Sequence, residues 1–129
     1  MSDRVVHFEI PFDDGPRARS FYAQAFGWMV EEVPELSYTM VATGPMTDQG
    51  VPADHGFING GMFERGDHPA RGPVVTIGVE SIDATLKKIA GLGGATVVDK
   101  QKVGDMGFSA YATDSEGNVI GLWEEARQG

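Results

Sequence analysis

The chain has 129 residues, no cysteine and a formal net charge of −9 at pH 7. A chain of this length buries roughly two-thirds of its unfolded surface, and without cysteine it has no disulfide framework, thiolate nucleophile or cysteine-held metal. The negative charge argues against binding to nucleic acid or to an anionic membrane surface, since both are bound through clustered Lys and Arg.

The acidic residues are scattered along the chain and do not form one run. This distribution is typical of a solvated protein surface, and it is also compatible with an acidic cleft that selects a cationic ligand. The first residues form no apolar signal region, and no apolar stretch approaches the roughly 18 residues needed to span a bilayer. We therefore expect a cytoplasmic protein without nucleic-acid or membrane partners.

The first half of the chain is predicted to form a strand, a helix and three further strands. Residues 5–10 alternate in polarity, which places His7 and Glu9 on one face of a strand. An aspartate before Pro16 is expected to cap the following helix, which ends at Gly27. The next three strands are expected over residues 28–33, 38–43 and 59–64.

A long polar segment, residues 44–58, separates two of these strands and contains His55. A loop of this length is unusual in a compact domain, and it indicates either a lid over a site or a surface excursion. His68 lies in a second polar loop. We expect both histidines to be solvated and not to bind a metal.

The second half of the chain repeats this order of elements. A strand over residues 73–79 is followed by a helix that Ser81 caps and that glycines at 91–94 end. Residues 114–118 have turn chemistry, so the strands on either side of them are expected to form a hairpin. The last three strands are predicted over residues 95–99 or a little beyond, 108–113 and 119–124.

An offset of 67 residues aligns the two halves, placing Phe12 on Val79 and Gly27 on Gly94. The chain is therefore predicted to be a single domain of two modules, about 1–66 and 73–126. Each module leaves one face of a four-stranded sheet uncovered, and pairing the modules would bury both faces and curve them around a cleft. The predicted fold class is α+β, with two paired βαβββ modules forming a curved mixed sheet.

Five short segments, spread over nearly the whole chain, carry a family pattern. They are Val6-His-Phe-Glu-Ile-Pro11, the helix end from Phe21-Tyr22 to Phe26-Gly27, Ile58-Asn-Gly-Gly61, Asp114-Ser-Glu-Gly-Asn118 and Gly121-Leu-Trp123. In this order they resemble the vicinal oxygen chelate superfamily, which includes glyoxalase I, extradiol dioxygenases, fosfomycin-resistance enzymes and bleomycin-resistance proteins. The ending Gly-Leu-Trp is similar to a short glyoxalase-like branch. The resemblance implies a glyoxalase-like fold, often with a second subunit completing the sites.

The resemblance also implies metal ligands in the first and last strand of each module. His7, fourteen residues before the Phe-Tyr pair, matches a first-strand ligand, whereas Gly121 stands where the last strand carries a glutamate. The repeat places Val74 at the other first-strand position, and Gly61 or Met62 at the remaining one. One of the four positions is filled, so the cofactor stays open and a tightly held divalent metal is not favoured.

The candidate catalytic residues are His7 and Glu9, two residues apart on one strand face. They form a base and its partner or half of a metal site, unless His7 is only bonded to a neighbouring strand. The candidate ligand-binding residues are Tyr111, Gly121 and Trp123. A glycine beside an indole leaves space for a flat or apolar ligand, and core packing of the indole is the alternative.

Two functions follow from these residues. The first is a glyoxalase/bleomycin-resistance-like protein that binds a small organic ligand in the cleft between the modules, without a tightly held metal. The alternative is a metal-dependent lyase, isomerase or dioxygenase, in which His7 and Glu9 are joined by Glu64 or His55. Glu124 is expected to face away from Gly121, which makes it a poorer ligand.

We also expect a homodimer with a two-fold axis. Sheets of this type leave exposed edges, and similar proteins commonly pair. The apolar residues at both ends of the chain, Val5, Val6, Leu122 and Trp123, are the predicted seam.

Overall fold

A computed structural model of the chain describes residues 2–49, 52–54 and 56–126. His55 and part of the long loop lie outside the described residues. The chain divides into two compact units, which we call the N-terminal unit, residues 7–73, and the C-terminal unit, residues from 74 onward together with those up to 6. Among the described helices, none has the length and apolar character needed to cross a membrane.

The N-terminal unit has the predicted order of one strand, one helix and three strands. Its elements are β1 (Val5–Phe12, of which Val5 and Val6 belong to the other unit), α1 (Gly15–Phe26), β2 (Met29–Val33), a 3-10 turn (Pro34–Leu36), β3 (Tyr38–Ala42) and β4 (Gly60–Glu64). The strands are ordered β2-β3-β4-β1. β1 and β4 are parallel, and the other neighbours are antiparallel.

Helix α1 begins and ends as its sequence predicts. The Asp14 carboxylate accepts a hydrogen bond from the Arg17 backbone N–H at 3.0 Å. Gly27 has φ 72° and donates its N–H to the Ala23 carbonyl at 2.9 Å. This left-handed conformation is one that glycine adopts without strain, which explains why the helix stops there.

The apolar residues of α1 are more exposed than their helical spacing suggests. Phe21 and Phe26 are 58% and 61% exposed, and no residue of the helix is buried. Tyr22 stacks on Trp28 with ring centroids 5.1 Å apart. The helix is therefore held in its own unit by aromatic stacking more than by a buried apolar stripe.

The two faces of the N-terminal sheet differ in character. Thr39 and Met62 are cross-strand partners and are almost completely buried, so their face forms the core of the unit. Side chains alternate along a strand, so the next residue on each strand lies on the opposite face. That face carries Glu9, Tyr38 and Gly61, and we call it the polar face.

The C-terminal unit repeats the order of elements. They are β5 (Val74–Gly78), α2 (Ile82–Gly91), β6 (Ala95–Val103), β7 (Gly107–Thr113) and β8 (Val119–Glu125), with the strands ordered β5-β8-β7-β6. β5 and β8 are parallel, and the other two pairs are antiparallel. The same internal order in both units confirms the repeat seen in the sequence.

The core of the C-terminal unit forms between α2 and one face of its sheet. Ile82, Ala110 and Leu122 are all at most 2% exposed. Glu124 lies on this helix-facing side, where its Oε1 accepts the Ile82 N–H at 2.8 Å. The prediction that Glu124 faces away from Gly121 is confirmed, and the carboxylate satisfies a free N–H at the start of the helix.

The burial of Leu122 bears on the predicted dimer seam. At 2% exposure, Leu122 packs inside its own unit and does not lie on an accessible face, because its position on β8 points it toward α2. Val5 and Val6 are 47% and 43% exposed. The homodimer itself stays a prediction.

The predicted hairpin of β7 and β8 is confirmed, and Asp114 organises its turn. Its Oδ1 accepts the Glu116 and Asn118 backbone N–H groups at 2.8 and 2.9 Å, and its Oδ2 accepts the Asn118 side-chain amide at 3.0 Å. These bonds, led by the one from the Asn118 side chain, lower the pKa of Asp114. The turn is thus specified by one carboxylate.

Two strand ends differ from prediction. β1 continues through Pro11, which lies opposite Phe63, because a proline is tolerated where the ladder does not need its N–H. β6 continues to Val103, four residues past the expected end. Register shifts on either side of Val98 break the alternation that a sequence pattern detects.

Candidate functional site

One hydrogen-bonded chain on the polar face joins His7, Tyr38 and Glu9. The Nε2 atom of His7 is 2.9 Å from the Tyr38 hydroxyl oxygen, and that hydroxyl donates to Oε2 of Glu9 at 2.7 Å. Glu9 is 8% exposed and His7 is half-buried. The structure therefore brings together the two residues predicted as a base and its partner, and it places Tyr38 between them.

Tyr38 reaches this position by lying over a glycine. Glu9 is paired with Gly61, and Tyr38 is paired with Phe63, two residues further along β4. A Cβ atom at Gly61 would overlap the Tyr38 phenol. The close approach of a ring to the backbone explains a glycine in the interior of this strand.

The order of the hydrogen bonds determines where the protons lie. A phenol has one hydrogen, and Tyr38 donates it to Glu9, so the Nε2 atom of His7 must be the donor to the phenol oxygen. Burial lowers the pKa of His7, while the nearby Glu9 carboxylate opposes this shift. His7 is therefore neutral at pH 7, with the proton on Nε2 and a lone pair on Nδ1.

His68 is a second imidazole on this side of the sheet; it lies in the predicted loop and is half-buried. Its ring stacks on Phe63 with centroids 3.8 Å apart, and its Nδ1 accepts the N–H of the buried Ala70 at 3.0 Å. Burial lowers the pKa of His68, and the Glu9 carboxylate opposes this shift. The apolar platform that Phe63 presents is the reason the loop folds inward.

Sequence reasoning missed Tyr38 and His68 for different reasons. Tyr38 begins an apolar strand and gives no local sign of a partner 29 or 31 positions away. The glycine pair Gly60-Gly61 is the one signal that points to it, because glycine inside a strand marks a close approach of another group. No comparable signal marks His68.

The other predicted residues lie in the C-terminal unit. Gly121 sits between Tyr111 and Thr76 in the sheet, and a Cβ atom on it would be 2.7 Å from the Thr76 Oγ1. Trp123 is half-buried on the same face, paired with Ser109. Tyr111, Gly121 and Trp123 therefore share one face, and their role in binding a ligand stays a prediction.

The residues present do not fit the metal site that the resemblance implies. The Nε2 atom of His7 is committed to Tyr38, Gly61 and Gly121 have no side chain, and Val74 is an apolar residue that is 1% exposed. Over residues 2–49, 52–54 and 56–126, no three His, Cys, Asp or Glu side chains are placed to hold a metal ion. The donor set among these described residues is too small for a structural or catalytic metal centre.

Of the two ligands suggested for a rebuilt metal site, Glu64 does not repair it. Glu64 is exposed and lies opposite Phe12, which places it on the other face of β4 from Gly61. It therefore lies away from Glu9. His55 is outside the described residues.

Comparison with known proteins matches residues 4–44 to a family described as bleomycin resistance protein-like N-terminal. The chain is also 26% identical over 121 residues to the candidate glyoxylase CFP32 of Mycobacterium tuberculosis and to its counterpart in Mycobacterium bovis. That alignment covers 88% of this chain and 42% of each relative. The chain thus spans about two-fifths of the length of the curated relatives it matches.

Several solved structures share the fold. A hypothetical protein, BH1468 from Bacillus halodurans, is 15% identical and superposes with a TM-score of 0.65, covering 100% of this chain and 99% of that one. Methylmalonyl-CoA epimerase from Mycobacterium tuberculosis is 18% identical, with a TM-score of 0.63 and coverage of 95% and 87%. The Streptomyces coelicolor epimerase is 20% identical, with a TM-score of 0.63 and coverage of 96% and 98%. The matched N-terminal segment and the glyoxylase relatives support the resemblance to the vicinal oxygen chelate superfamily, and the solved structures share the glyoxalase-like α+β fold.

The placement of Tyr38 can be tested at the glycine beneath it. Gly61→Ala should lower the free energy of unfolding by about 1–3 kcal/mol, because the new methyl group displaces the phenol. In a Tyr38→Ala background the same change should cost much less. Gly72→Ala is the matched control, since open space surrounds that position. Chemical denaturation of the four variants measures this, and equal costs in both backgrounds would show that Tyr38 does not cover Gly61.

His68 should make stability depend on pH. Its pKa in the folded protein is below the ordinary 6.5, so just below pH 6.5 the unfolded chain binds more protons than the folded one. The free energy of unfolding should therefore fall as the pH is lowered from 7 to 5.5. His68→Asn keeps an acceptor for the Ala70 N–H and removes the titration, so this variant should lose less stability over that range. Denaturation at both pH values measures the loss, and an equal loss in wild type and variant would contradict the prediction.

Proposed function

We propose that this protein binds a small organic ligand at the polar face of the N-terminal unit, around His7, Tyr38 and Glu9, without a metal that the protein holds tightly. The resemblance to the superfamily supports a small-molecule site, and the hydrogen-bonded chain supports these three side chains as part of it. Tyr111, Gly121 and Trp123 are proposed separately as ligand-binding residues on one face of the C-terminal unit.

The position of Tyr38 is the observation that carries this proposal. In a metal centre, an imidazole and a carboxylate two residues apart would point their lone pairs at one ion. Here the hydroxyl of Tyr38 lies between them and bonds to both. The phenol gives both His7 and Glu9 a hydrogen-bond partner, in the place where a metal ion would otherwise bind them. The imidazole of His7 stays neutral.

A second candidate is a metal-dependent lyase, isomerase or dioxygenase, as other members of the superfamily are. The observation that favours it is the placement of His7 and Glu9 on one face, in a fold shared with methylmalonyl-CoA epimerases. In this alternative, the Tyr38 side chain would have to leave its position between His7 and Glu9 for a metal to bind there. An epimerase or glyoxylase reaction of the kinds named for the relatives would be the class of chemistry to assay first.

Metal content separates the two candidates. The purified full-length protein should be incubated with Zn²⁺, Mn²⁺, Co²⁺ and Ni²⁺ in turn, dialysed without chelator, and measured by inductively coupled plasma mass spectrometry. The ligand-binding proposal predicts a substoichiometric content of every metal, and the same content in His7→Ala. His68→Ala is the matched control, because it removes an imidazole that is already bonded to the backbone.

One metal ion per chain that disappears in His7→Ala and persists in His68→Ala would overturn the proposal and establish the metal-dependent alternative. One ion per chain in all three proteins would place a metal elsewhere and would also contradict it.

A further inference from the structure

We infer that the Nδ1 atom of His7 is a hydrogen-bond acceptor that selects ligands carrying a free hydroxyl group over anions and over ligands without a donor. This inference rests on the proposed function, because it names the class of ligand for the same site. It follows from the tautomer of His7, the accessibility of Nδ1 and the charges nearby.

The tautomer of His7 is determined by its hydrogen bond to the Tyr38 hydroxyl. The Tyr38 hydroxyl has one proton and donates it to Glu9, so the phenol oxygen is left with lone pairs for His7. The contact of 2.9 Å is a hydrogen bond only if Nε2 carries a proton. In a neutral ring the Nδ1 atom then carries no proton, and it presents only a lone pair to a ligand.

The Nδ1 atom is open to a ligand. Within the part of the chain that the structure describes, the Nε2 bond to Tyr38 is the one hydrogen bond of the His7 ring. Over the same residues, Asn59 Nδ2 is the one fully buried side-chain nitrogen or oxygen without a partner. The Nδ1 atom of His7 also has no hydrogen bond, but it is not among these fully buried atoms. It is therefore accessible at the surface. A ligand hydroxyl can donate to it without displacing an existing bond.

The nearby charge narrows the ligand class further. The Glu9 carboxylate is 8% exposed and lies on the same strand face as His7, so a carboxylate or phosphate group placed at Nδ1 would meet a negative charge in a poorly solvated place. An anion would also lack the proton that Nδ1 needs. An alcohol or phenol supplies the proton and adds no charge.

The same reasoning distinguishes this site from His68. There the Nδ1 atom already accepts the Ala70 N–H at 3.0 Å, so this nitrogen is occupied within the protein. His68 thus provides an internal reference, since a hydroxyl compound should act on the Nδ1 resonance of His7 and leave that of His68 in place.

Nuclear magnetic resonance of the metal-free protein labelled with ¹⁵N-histidine tests the inference, with phenol as the probe and anisole as its matched control. Anisole has the same ring and oxygen but no hydroxyl hydrogen. In the free protein the spectrum should show His7 protonated at Nε2. Phenol should move the Nδ1 resonance of His7 upfield, and its apparent affinity should exceed that of anisole by about threefold to tenfold, the usual value of one hydrogen bond.

Two variants check that the network sets this selectivity. Tyr38→Phe removes the acceptor for Nε2–H, so the preferred tautomer and the advantage of phenol over anisole should both be lost. Tyr22→Phe makes the same change on helix α1, outside the network, and should keep both.

A His7 ring protonated at Nδ1, equal responses to phenol and anisole, or no response to either in the wild-type protein would overturn the inference. The wild-type comparison decides it even if Tyr38→Phe fails to fold. A stoichiometric metal in the dialysed protein would instead remove the proposed function, so the two failures are distinguishable.

Discussion

The hydroxyl group of Tyr38 has one hydrogen, and the arrangement of the polar face depends on where that hydrogen goes. Donated to Glu9 at 2.7 Å, it leaves the phenol oxygen as an acceptor and sets the protonated nitrogen of His7. One proton thereby links three side chains from two strands. Without it, the nearly buried Glu9 carboxylate and the half-buried His7 imidazole would each lose this hydrogen bond, which contributes about 0.5–1.5 kcal/mol.

Two features of the fold allow this link. Side chains alternate between the two faces of the sheet, and Gly61 has no side chain. β1 and β4 are parallel and in register, so His7 and Glu9 project from the face to which Gly61 also belongs. Because Gly61 has no side chain, the ring of Tyr38 can cross β4 diagonally and reach β1. The resemblance implies a metal ligand near this position, and the glycine found there leaves room for the tyrosine ring.

Much of the fold was predictable because its signals are local. Asp14 and Gly27 bound helix α1, Asp114 organises the last turn, and the offset of 67 residues reveals the repeated module. The pairing of His7 with Glu9 was predictable as well, since strand periodicity alone puts residues i and i+2 on one face.

The remainder depends on contacts between distant residues, which no local pattern encodes. Tyr38 meets its partners across β4, at positions 29 and 31 residues away in the sequence. The predicted seam failed at Leu122 because an apolar residue on a strand is equally suited to an interface and to a core, and here α2 covers it. Whether the protein holds a metal was hard to predict for the same reason. The ligand positions of the family show which ligands this chain lacks, and they do not show which side chains take their place.

A double-mutant cycle between Tyr38 and Glu9 tests the central claim most directly. The free energies of unfolding of wild type, Tyr38→Phe, Glu9→Gln and the double variant would be measured by denaturation at pH 7. If the hydroxyl of Tyr38 links Glu9 to His7, the two single losses should be coupled by about 0.5–3 kcal/mol. Losses that add to within about 0.3–0.5 kcal/mol would show that the two residues act independently, and they would contradict the account.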